Sequence, residues 1–300
     1  MSKFGRALVT GGAGLIGSHI VDELVRRGVE TLVVDDFSTG SPTNLRQHAG
    51  NKMVKVYAGD VRRVAELLRA AEGVEVVFHE AAIASVPISV EQPMRVHDNN
   101  VNATLELMNF CLGAKVRRLV FASSAAVYGI LDGKTASEEA QCRPSSPDGA
   151  SKLSVEDYLS AYHETYGLET VALRYFNVYG PRQRFNNGYS GVITTFANQL
   201  LRESRPTIFG DGMQTRDFVN VILCAIRCRF WNAAMRNDQS PSATPSWRSK
   251  PNVRNTASRA APRFWNDGLQ AVVSAVFSSP TRHTSRPNPS NADTAFSRAS

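Results

Sequence analysis

The chain has 300 residues, 42% of them apolar, enough to bury the core of one large domain or two modest ones. Its formal net charge of +7 is unevenly spread: residues 1–220 hold 23 Lys+Arg against 24 Asp+Glu, and residues 221–300 hold 11 against 3. A neutral body with a basic tail argues against a nucleic-acid-binding domain, and no apolar run reaches the about 18 residues that would span a membrane.

In chain order, short apolar runs alternate with helical stretches. Strands are expected at "RALVT" (6–10), "TLVVD" (31–35), "MVKVYAGD" (53–60), "EVVFHE" (75–80), "RLVFASS" (118–124) and "ETVALRYF" (169–176). Helices are expected between them, as at "SHIVDELVRRG" (18–28) and "RVAELLRAAEG" (63–73). This alternation predicts an α/β fold with a doubly wound parallel sheet, covered on both faces. The opening "MSKFGRALVTGG" reads as a polar lead into a strand, not as a secretory signal. Cys111, Cys142, Cys224 and Cys228 show no C-x-x-C pair, and Cys224 and Cys228 have no His or acidic partner nearby, so no metal is expected. Free thiols point to a reducing, cytoplasmic setting.

The loop "TGGAGLIGSH" (10–19) sets Gly11, Gly14 and Gly17 in a G-x-x-G-x-x-G spacing between a strand and a helix. Such glycines allow a tight turn, bare backbone beside a pyrophosphate, and close packing of helix on sheet, with the helix N-terminus facing the phosphates. The next strand ends at Asp35, where a carboxylate can accept both ribose hydroxyls of an adenosine and would repel a 2′-phosphate. Together these predict a Rossmann-type NAD site, with NAD preferred to NADP. Asp60, in "GDV" after the third strand, is placed to approach the adenine; its plainer reading is a strand-end turn.

Residues 5–221 carry a longer set of motifs: "VVDDFSTG", "VFHEAAIASVPISV", "NNVNATLELM", "LVFASSAAVYG", "GASK", "LRYFNVYGPRQ", "YSGVI" and "IFGDGMQTRDFVNV". With the glycine loop, they resemble the extended short-chain dehydrogenases/reductases, and among these the NAD-dependent nucleotide-sugar epimerases and dehydratases, most closely the UDP-hexose 4-epimerases. The resemblance implies transient oxidation at C4 of a UDP-sugar: a tyrosine takes the 4-OH proton while hydride passes to the nicotinamide, and the ketone turns over before hydride returns. It implies catalytic roles for Ser124 and Lys152. It brings Leu15, Ile16, Val61, Ala81 and Ala82, with Lys152, Tyr175 and Phe176, to the cofactor. Asn177 and Arg216, with Ser124, it assigns to the substrate. Dehydratases carry an Asp-Glu pair after the serine to supply the acid for water loss; here Ala125 and Ala126 follow Ser124, so epimerisation is expected.

Two features depart from the family pattern. Asp148 stands where the tyrosine belongs, four residues before Lys152 and on the same helix face. Beside an ammonium it is expected to have a lowered pKa, to be ionised, and to be a weak base, shorter than a phenol. The second departure starts near Val221, where the pattern stops. The last eighty residues contain no glutamate, all three tryptophans of the chain, twelve serines, ten arginines and seven prolines. This composition predicts a disordered tail and resembles an out-of-frame translation. The expected organisation is therefore an NAD-binding domain over 1–180, a partial substrate lobe over 181–221, and an atypical basic tail over 222–300. A broken epimerase and a non-catalytic NAD-binding scaffold both fit this sequence. A homodimer is expected through helices 98–112 and 150–166, whose stripes Val101, Leu105, Met108, Leu112 and Val155, Leu159, Tyr162, Tyr166 would pair; alternatively both stripes cover the sheet.

Overall fold

A computed structural model describes residues 4–63, 66, 73–131, 136–184, 191–208, 210–213, 215–226 and 252–255. The helix expected over 63–73, Cys228 and nearly all of the tail lie outside the described residues. The expected strands form as β1 (Arg6–Thr10), β2 (Glu30–Asp35), β3 (Val54–Ala58), β4 (Val76–His79), β5 (Arg118–Ser124) and β6 (Glu169–Tyr175). All pair in parallel in the order β3-β2-β1-β4-β5-β6. The order reverses direction between β1 and β4, and a doubly wound sheet opens its ligand crevice at such a point, outside the carboxyl ends of the strands.

Alternate residues of β1, β2, β4, β5 and β6 enter opposite layers, and both layers are buried, whereas the edge strand β3 is only partly covered. Ala7 and Val9 of β1 join Ile20, Val21 and Leu24 of helix α1 (Leu15–Arg26) on one face. On the other, Leu8 joins Leu107 and Met108 of α4 (Ala103–Gly113), and Val155 and Leu159 of α5 (Pro147–Tyr166). Burying each such side chain contributes about 1.5–3 kcal/mol. Short helices α2 (Val86–Glu91) and α3 (Pro93–His97) run, through a π-helical turn at Asp98–Asn102, into α4.

Helix α1 begins at Leu15, three residues earlier than its apolar pattern suggests, with Gly14 as its N-cap. The glycine loop thus runs directly into the first turn of the helix, whose N-terminal N–H groups have no acceptor within the helix. Helix α5 starts on a Ser146 cap, whose Oγ accepts from Gly149 N at 3.2 Å, and ends at Gly167 in the left-handed region.

Beyond β6, strands β7 (Asn177–Tyr179) and β8 (Phe218–Asn220) form a separate parallel pair. Helices α6 (Val192–Leu201) and α7 (Val221–Ile226) accompany them, and Arg182 anchors this region to α1 through Asp22 at 2.6 Å. Four tail residues, Asn252–Asn255, add a strand β9 parallel to β6, where the composition had predicted no element. Pairing at a sheet edge uses backbone groups alone, so it needs no apolar period.

Four members of the two expected dimer stripes, Val101, Met108, Val155 and Leu159, are buried within the protomer against the sheet. Leu105, Leu112 and Tyr162 are partly covered, and the exposed Tyr166 packs edge-on against Tyr162, with ring centres 5.1 Å apart.

Candidate functional site: a crevice at the strand ends

The crevice is lined by the segments that leave the carboxyl ends of the strands. After β1, Gly11 has φ +66° and a Cβ there would stand 2.7 Å from Ala81 N, so only glycine lets the loop pass the end of β4. A Cβ on Gly17 would meet the Gly11 carbonyl oxygen at 2.3 Å. Gly14 donates to that same carbonyl at 3.0 Å and offers bare backbone to the crevice. Leu15 and Ile16 come next as the first residues of α1.

Asp35 closes β2 and is 6% exposed. Its Oδ2 accepts from Ala13 N and its Oδ1 from Phe37 N, each at 2.8 Å. Burial raises its pKa against the pull of these two donors and, more weakly, of the Arg184 guanidinium. The carboxylate therefore braces the glycine loop. Asp60, by contrast, has its pKa lowered by the Arg62 guanidinium that pairs with it, and also accepts from Arg62 N at 2.8 Å. Val61, buried, begins the short 3-10 turn after it.

The ends of β4, β5 and β6 make the other half. His79 is buried between Thr10 Oγ1 at 2.6 Å and Thr104 Oγ1 at 2.8 Å, and burial, helped by the Lys152 ammonium, pushes it down to about 3. It stays neutral and ties the glycine loop to α4. Glu80 points the opposite way; Tyr175 OH donates to its Oε1 at 3.3 Å. Burial pushes this carboxyl up to about 7, against Lys152 and the phenol. Half-buried Ala81 and Ala82 come after it, with Ala81 N donating to Thr10 Oγ1 at 3.4 Å.

Ser124 ends β5, and its Oγ accepts from Ala126 N at 3.1 Å, capping a 3-10 turn over Ala125–Tyr128. Lys152 is 4% exposed; its Nζ donates to Ala122 O at 2.7 Å and sits 4.8 Å from the centre of the Phe121 ring. Burial lowers its pKa, against the pull of Asp148 first and Glu80 second. Asp148 shares that helix face, as its spacing predicts, and is 6% exposed, with no hydrogen-bond partner for its Oδ1 among the described residues. Its pKa is raised, not lowered as the sequence suggested: loss of solvent outweighs the attraction of Lys152. A helix wheel shows who neighbours whom, but not how much water a neighbour displaces.

Phe176 lies against Tyr128, with ring centres 6.5 Å apart. Asn177 and Arg216 are exposed and drawn close by the β7–β8 ladder: Asn177 Nδ2 donates to the Asp217 carbonyl at 2.9 Å.

Besides His79 and Glu80, Asn100, Glu156 and Arg174 escaped the reading of the sequence. Asn100, within the π-helical turn, accepts from Ile83 N at 2.9 Å and donates to Ile83 O and Ser151 Oγ, each at 3.1 Å, joining the loop after β4 to α5. Glu156, one turn beyond Lys152, accepts from Ser123 Oγ at 2.5 Å and is bridged to Arg174 at 2.6 Å; Arg174 also donates to Tyr128 OH at 3.0 Å. Both Glu156 and Asn100 fall within helical stretches whose periods had been read, and each stands out as a polar residue on a buried face.

The fold and crevice define a dinucleotide-binding α/β protein. Residues 7–222 match the NAD dependent epimerase/dehydratase family, and the chain belongs to it. A putative UDP-glucose 4-epimerase of Methanocaldococcus jannaschii is 40% identical over 215 residues, covering 71% of this chain and 69% of its own length. The UDP-N-acetylglucosamine 4-epimerase of Methanobrevibacter ruminantium, solved with UDP-N-acetylmuramic acid, superposes with a TM-score of 0.71 at 41% identity, over 75% of this chain and 71% of its own. The UDP-glucose 4-epimerase of Thermus thermophilus, solved with NAD, gives 0.71 at 37% identity, over 84% and 78%. Among the described residues no helix is long and apolar enough to cross a membrane, and no cluster of ligands could hold a metal.

Proposed function

We propose that this chain is a UDP-hexose 4-epimerase by descent that binds NAD and is impaired at the reacting end of its crevice. Gly11, Gly14, Gly17 and the braced Asp35 fit the pyrophosphate and adenosine of NAD, which leaves the nicotinamide for the side of Ser124 and Lys152. When bound, NAD supplies the hydride acceptor. Ser124 would orient the sugar oxygen, Lys152 would hold the nicotinamide ribose, and Asn177 and Arg216 would take the nucleotide phosphates. The observation that carries the reading is the hydrogen bond at 2.7 Å from Lys152 Nζ of α5 to the Ala122 carbonyl of β5, two residues before Ser124 on the same strand. Relatives at 40% and 41% identity are named as epimerases of UDP-glucose and UDP-N-acetylglucosamine, so a UDP-hexose is the proposed substrate. The exposed Tyr158 and Tyr166 of α5 offer a face for a homodimer.

Asp148 favours a second reading, a non-catalytic NAD-binding protein, because its carboxyl is buried with one oxygen unpaired where a base should reach the sugar. Losing a positioned base costs about 10²–10⁴ in rate. A coupled assay for interconversion of UDP-glucose and UDP-galactose separates the readings. It compares the chain itself, Asp148→Tyr, the chain with a family C-terminal lobe grafted after Val221, and both changes together. The double change should exceed either single one, since the lobe must hold the substrate for the phenol to act. Equal activity of the unaltered chain and the double change would overturn the impairment.

A further inference from the structure

The nicotinamide end of the crevice carries an unusual set of charges. Glu80 enters from β4, and Asp148 and Lys152 enter from α5, so two carboxyl groups share one ammonium. From β6 only the Tyr175 phenol approaches Glu80, at 3.3 Å, and from β5 come the Ala122 carbonyl and the Ser124 hydroxyl. His79, next to Glu80, lies on the Lys152 side against Phe121 but is held neutral between two threonines, and one turn deeper Glu156 and Arg174 cancel each other as a buried pair. With both carboxyls ionised the end carries a net charge of −1. The oxidised nicotinamide ring is a cation and the reduced ring is neutral, so this charge acts on one oxidation state alone.

We propose that Glu80 and Asp148 together make the nicotinamide end of this crevice select oxidised NAD over NADH, with Glu80 as the group that switches the preference with pH. The inference rests on the reading that the crevice takes NAD. A cation bound beside Glu80 favours its ionised form, so affinity for NAD+ rises as pH climbs through the value of about 7 held by that carboxyl, while affinity for NADH does not. Asp148, where ionised, adds a second negative charge in the place of a neutral phenol. Glu80 is therefore a specificity-determining residue for the oxidation state of the cofactor, a role independent of any sugar.

Calorimetric titration of the full chain with NAD+, NADH and ADP-ribose, at about pH 6 and about pH 8, tests this. If the cation moves the Glu80 pKa by about one unit, the NAD+ to NADH affinity ratio should rise about fivefold between the two pH values. Glu80→Gln should flatten that rise, and Asp148→Asn should lower the ratio at both pH values. ADP-ribose, which lacks the nicotinamide, should bind equally in all three proteins and so reports on the fold and the adenosine half. A flat ratio in the unaltered chain, or a rise that survives Glu80→Gln, overturns the proposal. Failure of ADP-ribose to bind the unaltered chain overturns instead the reading of the crevice as an NAD site.

Discussion

Asp35 and Asp148 are both 6% exposed, and burial raises the pKa of both, yet their surroundings differ. Asp35 has a backbone N–H for each carboxylate oxygen, and Gly40 lies so close that a Cβ there would stand 2.6 Å from Oδ1. The protein is shaped around that carboxylate. Asp148 has an ammonium on its helix face and an orphaned oxygen. The Lys152 ammonium and the helix N-terminus favour its charge, but it lacks the pair of backbone donors that hold Asp35. Burial alone thus does not identify a functional acid; the donors that surround it do.

The adenosine half is expected to tolerate change least. Gly17→Val would force a side chain onto the Gly11 carbonyl and the Gly12 Cα, and should reduce NAD affinity by about a hundredfold or more, or prevent folding. Titration with NAD, with circular dichroism on the same sample, checks this. Near-unchanged binding would mean that the loop is more pliant than its contacts imply.

At the reacting end the supporting network should matter more than the acid it supports. Arg174→Leu leaves Glu156 buried and unpaired and should cost about 3–5 kcal/mol, read as a lower urea midpoint. Removing both charges with Glu156→Gln as well should recover part of that loss. If Arg174→Leu were neutral, the network would not be what holds the Ser124 turn to α5.

The smallest effect is the most direct test of the comparison. A carboxyl whose folded pKa is raised binds protons more readily when folded, so its contribution falls as pH rises from the unfolded value toward the folded one. Asp148→Asn should therefore stabilise the protein near neutral pH, with the gain shrinking toward pH ~4. Asp35→Asn should instead destabilise at neutral pH, because an amide cannot accept from both Ala13 N and Phe37 N. Thermal melts of both variants across this pH range would show the opposite signs.

The parallel sheet, the glycine loop, Asp35 at its strand end, and the shared helix face of Asp148 and Lys152 were legible in the amino-acid sequence alone. Each is a local matter: an apolar run, a turn that only glycine can make, a fixed spacing along one helix. The end of the family pattern near Val221 was legible too, because composition changes there without any structure being needed. The features settled only by the folded chain lie between segments far apart in it. Tyr175 meets Glu80 across 95 positions, and Asn100 meets Ser151 across 51. No period along the chain encodes such meetings, which arise from the order in which strands join the sheet. The charge state of Asp148 belongs to the same group. Its spacing from Lys152 predicted attraction, but the desolvation that reverses the sign comes from burying the group in the folded protein, through packing that a helix wheel does not contain.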